Sequence, residues 1–337
     1  KVGTLALGWE SIYGSVNARF AVRHPEAFRH GAQAGRVFDP SARLEPDSRP
    51  YGAYPGGLPD GLSAGELFGA QWGSLSRAAG LDAVVLRDSV LLAGQYRRVG
   101  PYGATPPSDP GRAAAWSRAV ADLVRHTKQS NPQALVIGYS SAASAISDWR
   151  VNLVDLEALA REGHLDAFID QTWAGARNEV GVRENVFWNC PYMGWTYQLG
   201  FVLMHAAVLA DTPTRHYVLT ETFDAWESWD TIHTAPERLR WGIWAYHHAA
   251  LRRPGRLEMP AGTYVSWANQ GTELLSAEDV AFLQENLDDA IRDARSTREV
   301  YGPTLVYNRA ATEWLMETDP ARSIGEWIDD LAATVMK

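Results

Sequence analysis

The chain has 337 residues, a formal net charge of −9 and one cysteine, Cys190. The acidity and the lack of any basic run exclude a nucleic-acid surface, no apolar stretch reaches the roughly 20 residues of a membrane span, and a lone cysteine excludes an internal disulfide. Three lysines, Lys1, Lys128 and Lys337, stand among 31 basic residues. Two are chain ends and the third sits in a polar helix tail, which argues against Schiff-base or pyridoxal chemistry and leaves no organic cofactor expected. The 14 tryptophans read either as a well-filled core or as flat apolar platforms of the kind on which sugar rings stack.

In chain order, Val2–Leu7 reads as a strand that ends in Gly8-Trp9-Glu10. A Gly-, Pro- and Tyr-rich stretch, about Ile12–Leu62, follows. A loop this long inside a compact domain is usually functional, and its aromatics favour an ordered, substrate-covering loop. Ser63 with Glu66 three residues on forms a capping box, and the helix it opens runs to Ala79, where Gly80 stops it. Ala83-Val84-Val85-Leu86 is then a continuous apolar run, as in a parallel strand covered on both faces, and it ends abruptly in Arg87-Asp88.

The order repeats downstream. A loop over Gly94–Pro110 leads to a helix over Gly111–Gln129 and a strand over Ala134–Tyr139. Helix Leu153–Glu162 precedes a strand over His164–Ile169 that ends in Asp170-Gln171-Thr172-Trp173. A tryptophan-rich loop, Asn185–Tyr197, helix Gln198–Leu209 and strand Arg215–Leu219 come next, the strand running into Thr220-Glu221. Helix Pro236–Leu251, strand Gly262–Trp267 with Asn269 beyond it, and a helix from Ser276 to about Arg298 complete the pattern. Gly302–Asn308 reads as one more strand, followed by helices.

Alternating strands and helices, with the loops enlarged at one strand end, predict an α/β fold with a parallel sheet. The expected architecture is a (β/α)8 TIM-type barrel over residues 1–300 that lacks its first strands in this chain. Residues 301–337 would be its last element or the start of a second α/β domain. No signal-peptide pattern opens the chain, which favours the cytoplasm without fixing the compartment. Self-association is left open.

In such a barrel the catalytic groups sit at the C-terminal strand ends. Glu10, Asp88, Asp170 and Glu221 all fall there, with Trp9, Arg87, Tyr139, Gln171, Trp173, Trp267 and Asn269 beside them. Glycoside hydrolysis needs two carboxylates, about 5 Å apart for retention and roughly 6.5–9.5 Å apart for inversion. One must hold a proton near neutral pH while the other stays ionised, and a tryptophan-lined pocket pushes their pKa values apart. Each carboxylate taken singly is more often a helix cap or an arginine partner than a catalyst. Other chemistries find less support. Nine histidines are scattered and none ends a strand, His247 and His248 point apart on a helix, and there is no zinc motif, nucleophile elbow or phosphate-binding glycine loop. Cys190 reads as a loop or core thiol.

The stretch GLDAVVLRDS resembles the G-x-D-x-x-x-x-D signature of the fourth strand in barrel glycosidases of the alpha-galactosidase and alpha-glucosidase type. That resemblance implies Asp88 as nucleophile and Asp170, at a later strand end, as acid/base. Glu221 instead matches the nucleophile position of beta-galactosidase-like barrels, although those carry Asn-Glu where this chain has Arg87-Asp88. The expected activity is therefore cleavage of an O-glycosidic bond in an oligosaccharide or glycoside. Asp88, Asp170 and Glu221 would be catalytic, and the remaining strand-end residues would bind the sugar. The alternatives are a non-catalytic carbohydrate-binding barrel and a barrel lyase or isomerase holding a divalent ion on its carboxylates.

Overall fold

A computed structural model describes residues 6–9, 18–29, 37–87, 110–139, 154–170, 195–224, 229–268, 275–301, 306 and 308–318. The chain divides into two compact units. The first comprises Lys1–Ser144, Asp148–Phe168 and Asp211–Thr214; the second comprises Ala145–Ser147, Ile169–Ala210 and Arg215–Lys337.

The first unit is built on three parallel strands, β1 (Ala6–Trp9), β4 (Ala83–Arg87) and β5 (Leu135–Tyr139). β4 lies between the other two. Its Val84 and Leu86 are fully buried, as the unbroken apolar run predicts for a central parallel strand. The strand runs one residue further than the apolar pattern, and Arg87 pairs with Tyr139. Helix α1 (Ala18–Arg23), a 3-10 turn (Pro25–Ala27) and a short antiparallel pair, β2 (Phe28–Arg29) with β3 (Val37–Phe38), precede the main helices.

Helix α2 (Ala64–Ala78) starts where the capping box places it. Ser63 Oγ accepts from the Glu66 amide at 3.0 Å, and a Glu66 carboxylate oxygen accepts from the Ser63 amide at 2.8 Å. It ends at Gly80, whose φ of +65° suits glycine. α2 packs along α3 (Pro110–Ser130) through Gly65, Gly69 and Gly73. These residues recur every four positions and so form one face of the helix. α4 (Leu156–Arg161), capped by Asp155, completes the unit. Lys128 in the last turn of α3 donates to Asp166 at 2.6 Å and to the Ala134 carbonyl at 2.8 Å, so the one lysine away from the chain ends is an ion-pair and loop anchor.

Much of the long segment before α2 is ordered by a polar network. His24, only 2 % exposed, contacts Glu26 at 2.8 Å and the Tyr51 hydroxyl at 3.0 Å. Tyr51 donates to Asp47 at 2.7 Å. Burial, together with that carboxylate, pushes the phenol up to about 12. Asp47 and Leu58 bridge back to back through their amides, which closes residues 47–58 into a compact excursion.

Strand β6 (Ala167–Asp170) is buried at all four positions, and its last two residues belong to the second unit. That unit contains α5 (Trp195–Leu209), β7 (Arg215–Asp224), β8 (Trp229–Asp230), α6 (Thr231–Thr234), α7 (Pro236–His247), β9 (Leu251–Arg253), β10 (Arg256–Glu258), β11 (Gly262–Ala268), α8 (Ala277–Ser296) and α9 (Arg309–Thr318). β7 pairs with β11 in parallel and with β8 antiparallel. Val202 of α5 packs on Val218 of β7, with Tyr246 of α7 in the same cluster. Ile232, Leu239, Ile243, Leu283 and Ala290 join α6, α7 and α8.

The parallel sheet makes this a mixed α/β protein, as the alternating pattern predicts; the described strands form no closed barrel. Helix α7 stops earlier than predicted, and the chain turns instead into the β9–β10 hairpin across Gly255, at φ +74°. The strand predicted at Gly302–Asn308 lies largely outside the described residues. No described helix is long and apolar enough to cross a membrane.

Candidate active site

In the first unit three predicted site residues line up at the strand ends. Trp9 closes β1 and pairs with Leu86, and Arg87 closes β4 opposite Tyr139, which closes β5. Parallel register thus carries the ends of three neighbouring strands to one edge of the sheet. Strands in a sheet lie about 4.8 Å apart, so these backbones are near neighbours. The Tyr139 ring is buried at 4 % exposure. Glu10 and Asp88, the residues that follow Trp9 and Arg87 directly, lie outside the described residues.

In the second unit Glu221 pairs with Ser266 and Phe223 with Trp267, so two further candidates, Glu221 and Trp267, share one stretch of ladder. The register slips there, and Thr222 is the additional residue on β7. A bulge twists its strand locally and re-aims the residues around it, a device common beside active sites.

Asp170 is the candidate whose surroundings are best defined. Its carboxylate is 2 % exposed and both oxygens are engaged. His216 Nε2 lies 2.6 Å from Oδ2, and His205 Nδ1 contacts Oδ1. His216 projects from the start of β7 two residues before Val218, and His205 from α5 three residues after Val202. Val202 and Val218 pack together, so the cluster belongs to the layer between α5 and β7.

Burial by itself raises the Asp170 carboxyl, but attraction to His205 and the hydrogen bonds from both imidazoles outweigh it and hold the group below the ordinary carboxylate range. Burial depresses His205 more than Asp170 raises it. The favoured state is a carboxylate accepting from a neutral His205 that carries its proton on Nδ1. That environment disfavours the protonated form a general acid needs, and it leaves neither oxygen open. Asp170 is here a buried carboxylate held between two imidazoles.

Gln171, Trp173, Asn269 and Cys190 lie outside the described residues. The strand-end pattern does not single out His205 and His216, because His216 begins a strand and His205 lies mid-helix. A histidine inside an otherwise apolar helix was the available signal. Among the described residues no group of three His, Cys, Asp or Glu side chains is arranged to hold a metal ion. No protein-family model and no curated protein matches the chain.

Proposed function

We propose that the chain is a glycoside hydrolase that cleaves an O-glycosidic bond in an oligosaccharide or glycoside, with a (β/α)8-type barrel as its framework. The observation that carries this reading is the parallel pairing that brings the ends of β1, β4 and β5 to one edge, with Arg87 opposite Tyr139 and Trp9 opposite Leu86, one residue earlier. Glu10 and Asp88 are the residues that follow Trp9 and Arg87 in the sequence. Two carboxylates about 5 Å apart would suit retention.

In this reading Asp88 attacks the anomeric carbon. Glu10 supplies the proton to the leaving oxygen and then activates water. Trp9 offers a ring face for stacking, and Arg87 and Tyr139 offer hydrogen bonds to hydroxyls. Asp170 positions the end of β6 through His205 and His216.

A panel of aryl glycosides assayed with wild type and Asp88→Asn tests the proposal. The variant should keep its circular-dichroism spectrum and lose about three orders of magnitude in kcat. Undiminished hydrolysis by the variant removes Asp88 from the chemistry. Sugar binding without hydrolysis in the wild type favours the carbohydrate-binding alternative, and activity that chelation abolishes favours the metal-dependent one.

A further inference from the structure

We propose that His233 is a pH-sensitive latch that, when protonated, ties α6 to α8 and steadies the pairing of β8 with β7 near Glu221 and Trp267. Asp230 caps α6 by accepting from the His233 amide at 3.1 Å. Its other oxygen lies 3.0 Å from His233 Nδ1. On the far side of the ring, Nε2 lies 3.1 Å from Oδ1 of Asp279. Asp279 is itself the capping-box residue of α8, its Oδ2 accepting from the Ser276 amide at 2.9 Å and from the Ser276 hydroxyl at 2.7 Å.

Ionised carboxylates only accept hydrogen bonds. A neutral imidazole has one N–H and can satisfy one of these two partners; only the imidazolium satisfies both. The geometry therefore selects the charged ring. The hydrogen bond to Asp230, followed by the attraction of both carboxylates, accordingly raises His233 above 6.5, against a smaller opposing effect of burial. The described groups around the ring are Asp230 from β8, Asp279 and Ser276 from α8, and Phe223 from β7, whose ring centroid is 6.4 Å away. The neighbouring α7 contributes apolar Leu239 and Ile243, packed on Ile232.

The latch reaches the candidate site through backbone. β8 pairs with Phe223 and Asp224, Phe223 pairs with Trp267, and Glu221 lies two residues before Phe223. Because the folded-state value is raised, the stabilisation is fully present below about pH 6.5 and is lost as pH rises through the raised value. Above that point one carboxylate loses its donor and residues 229–234 loosen from α8. The consequence for substrate rests on the glycosidase reading; the latch itself does not.

The test is amide hydrogen exchange at about pH 5 and about pH 9, corrected for intrinsic rates, in peptides spanning residues 229–234 and 275–281. Wild type should lose protection several-fold at the higher pH. His233→Gln, which cannot be charged, should show the lower protection at both. A proton NMR titration of wild-type His233 should have its midpoint above 6.5 and move down in Asp279→Asn. Equal pH dependence in wild type and His233→Gln, or a midpoint below 6.5, overturns the latch whether or not the chain hydrolyses glycosides. If the exchange behaves as expected, loss of the alkaline increase in KM in His233→Gln ties the latch to the sugar site.

Discussion

Gly69 on α2 lies against the carbonyl oxygen of Leu123 on α3 so closely that a methyl group on its Cα would overlap that oxygen and stand 3.0 Å from the Cβ of His126. Gly65 meets Ala119, and Gly73 meets Thr127, in the same way. The three glycines let two helix backbones touch, and α3 in turn packs on β5. The site edge in the first unit thus depends on a helix contact that admits no side chain.

Gly69→Ala should accordingly destabilise the protein by about 1–3 kcal/mol, the usual cost of overpacking. Chemical denaturation measures it. Gly56→Ala, with open space around the new Cβ, is the control and should be near neutral.

The imidazole clamp on Asp170 sets a second expectation. Asp170→Ala leaves two buried imidazoles without their acceptor and should cost about 3 kcal/mol or more. Asp170→Asn, which keeps one acceptor and adds a donor, should cost less. The sign with pH is also fixed. The folded-state values of His205 and Asp170 are both depressed, so the stability each contributes is lost as pH falls, first below 6.5 for the histidine and then below 3.8 for the carboxyl. His205→Gln should flatten the upper part of that acid limb in a denaturation series, and an unchanged slope would remove the neutral-histidine assignment.

Lys128 gives a prediction about what is not chemistry. Its ammonium is spent on Asp166 and on the Ala134 carbonyl, and Asp166 also accepts from the Val136 amide at 2.7 Å. Lys128→Met should lower stability by roughly 1–2 kcal/mol and leave kcat unchanged. A collapse of kcat with stability intact would reopen the lysine chemistries that the composition argues against.

The two capping boxes offer a simpler check. Ser63→Ala and Ser276→Ala should each cost about 1 kcal/mol, since each removes the acceptor for an amide in the first helical turn. Hydrogen exchange at Glu66 and Asp279 reads the loss locally.

These features were not equally visible in the sequence. The caps at Ser63 and Ser276, the stop at Gly80 and the buried strand ahead of Arg87 follow from local chemistry, so a single sequence reveals them. The β9–β10 hairpin is not evident, because Leu251 reads as the end of a helix and only Gly255 marks a turn in the polar run after it. The bulge at Thr222 is a mismatch between two strands, which neither strand's sequence contains. The clamp on Asp170 joins residues 35 and 46 positions away along the chain. No periodicity or motif links them, so the sequence shows the carboxylate at a strand end and not the two imidazoles that meet it.

The most direct test of the central claim is covalent trapping with activated 2-deoxy-2-fluoro glycosides, followed by mass spectrometry of proteolytic peptides. The slow sugar should accumulate on the nucleophile as a glycosyl ester. We expect the label on the peptide that contains Asp88, and none in Asp88→Asn. A label on the peptide carrying Glu221 or Glu10, with Asp88 unmodified, would contradict the assignment.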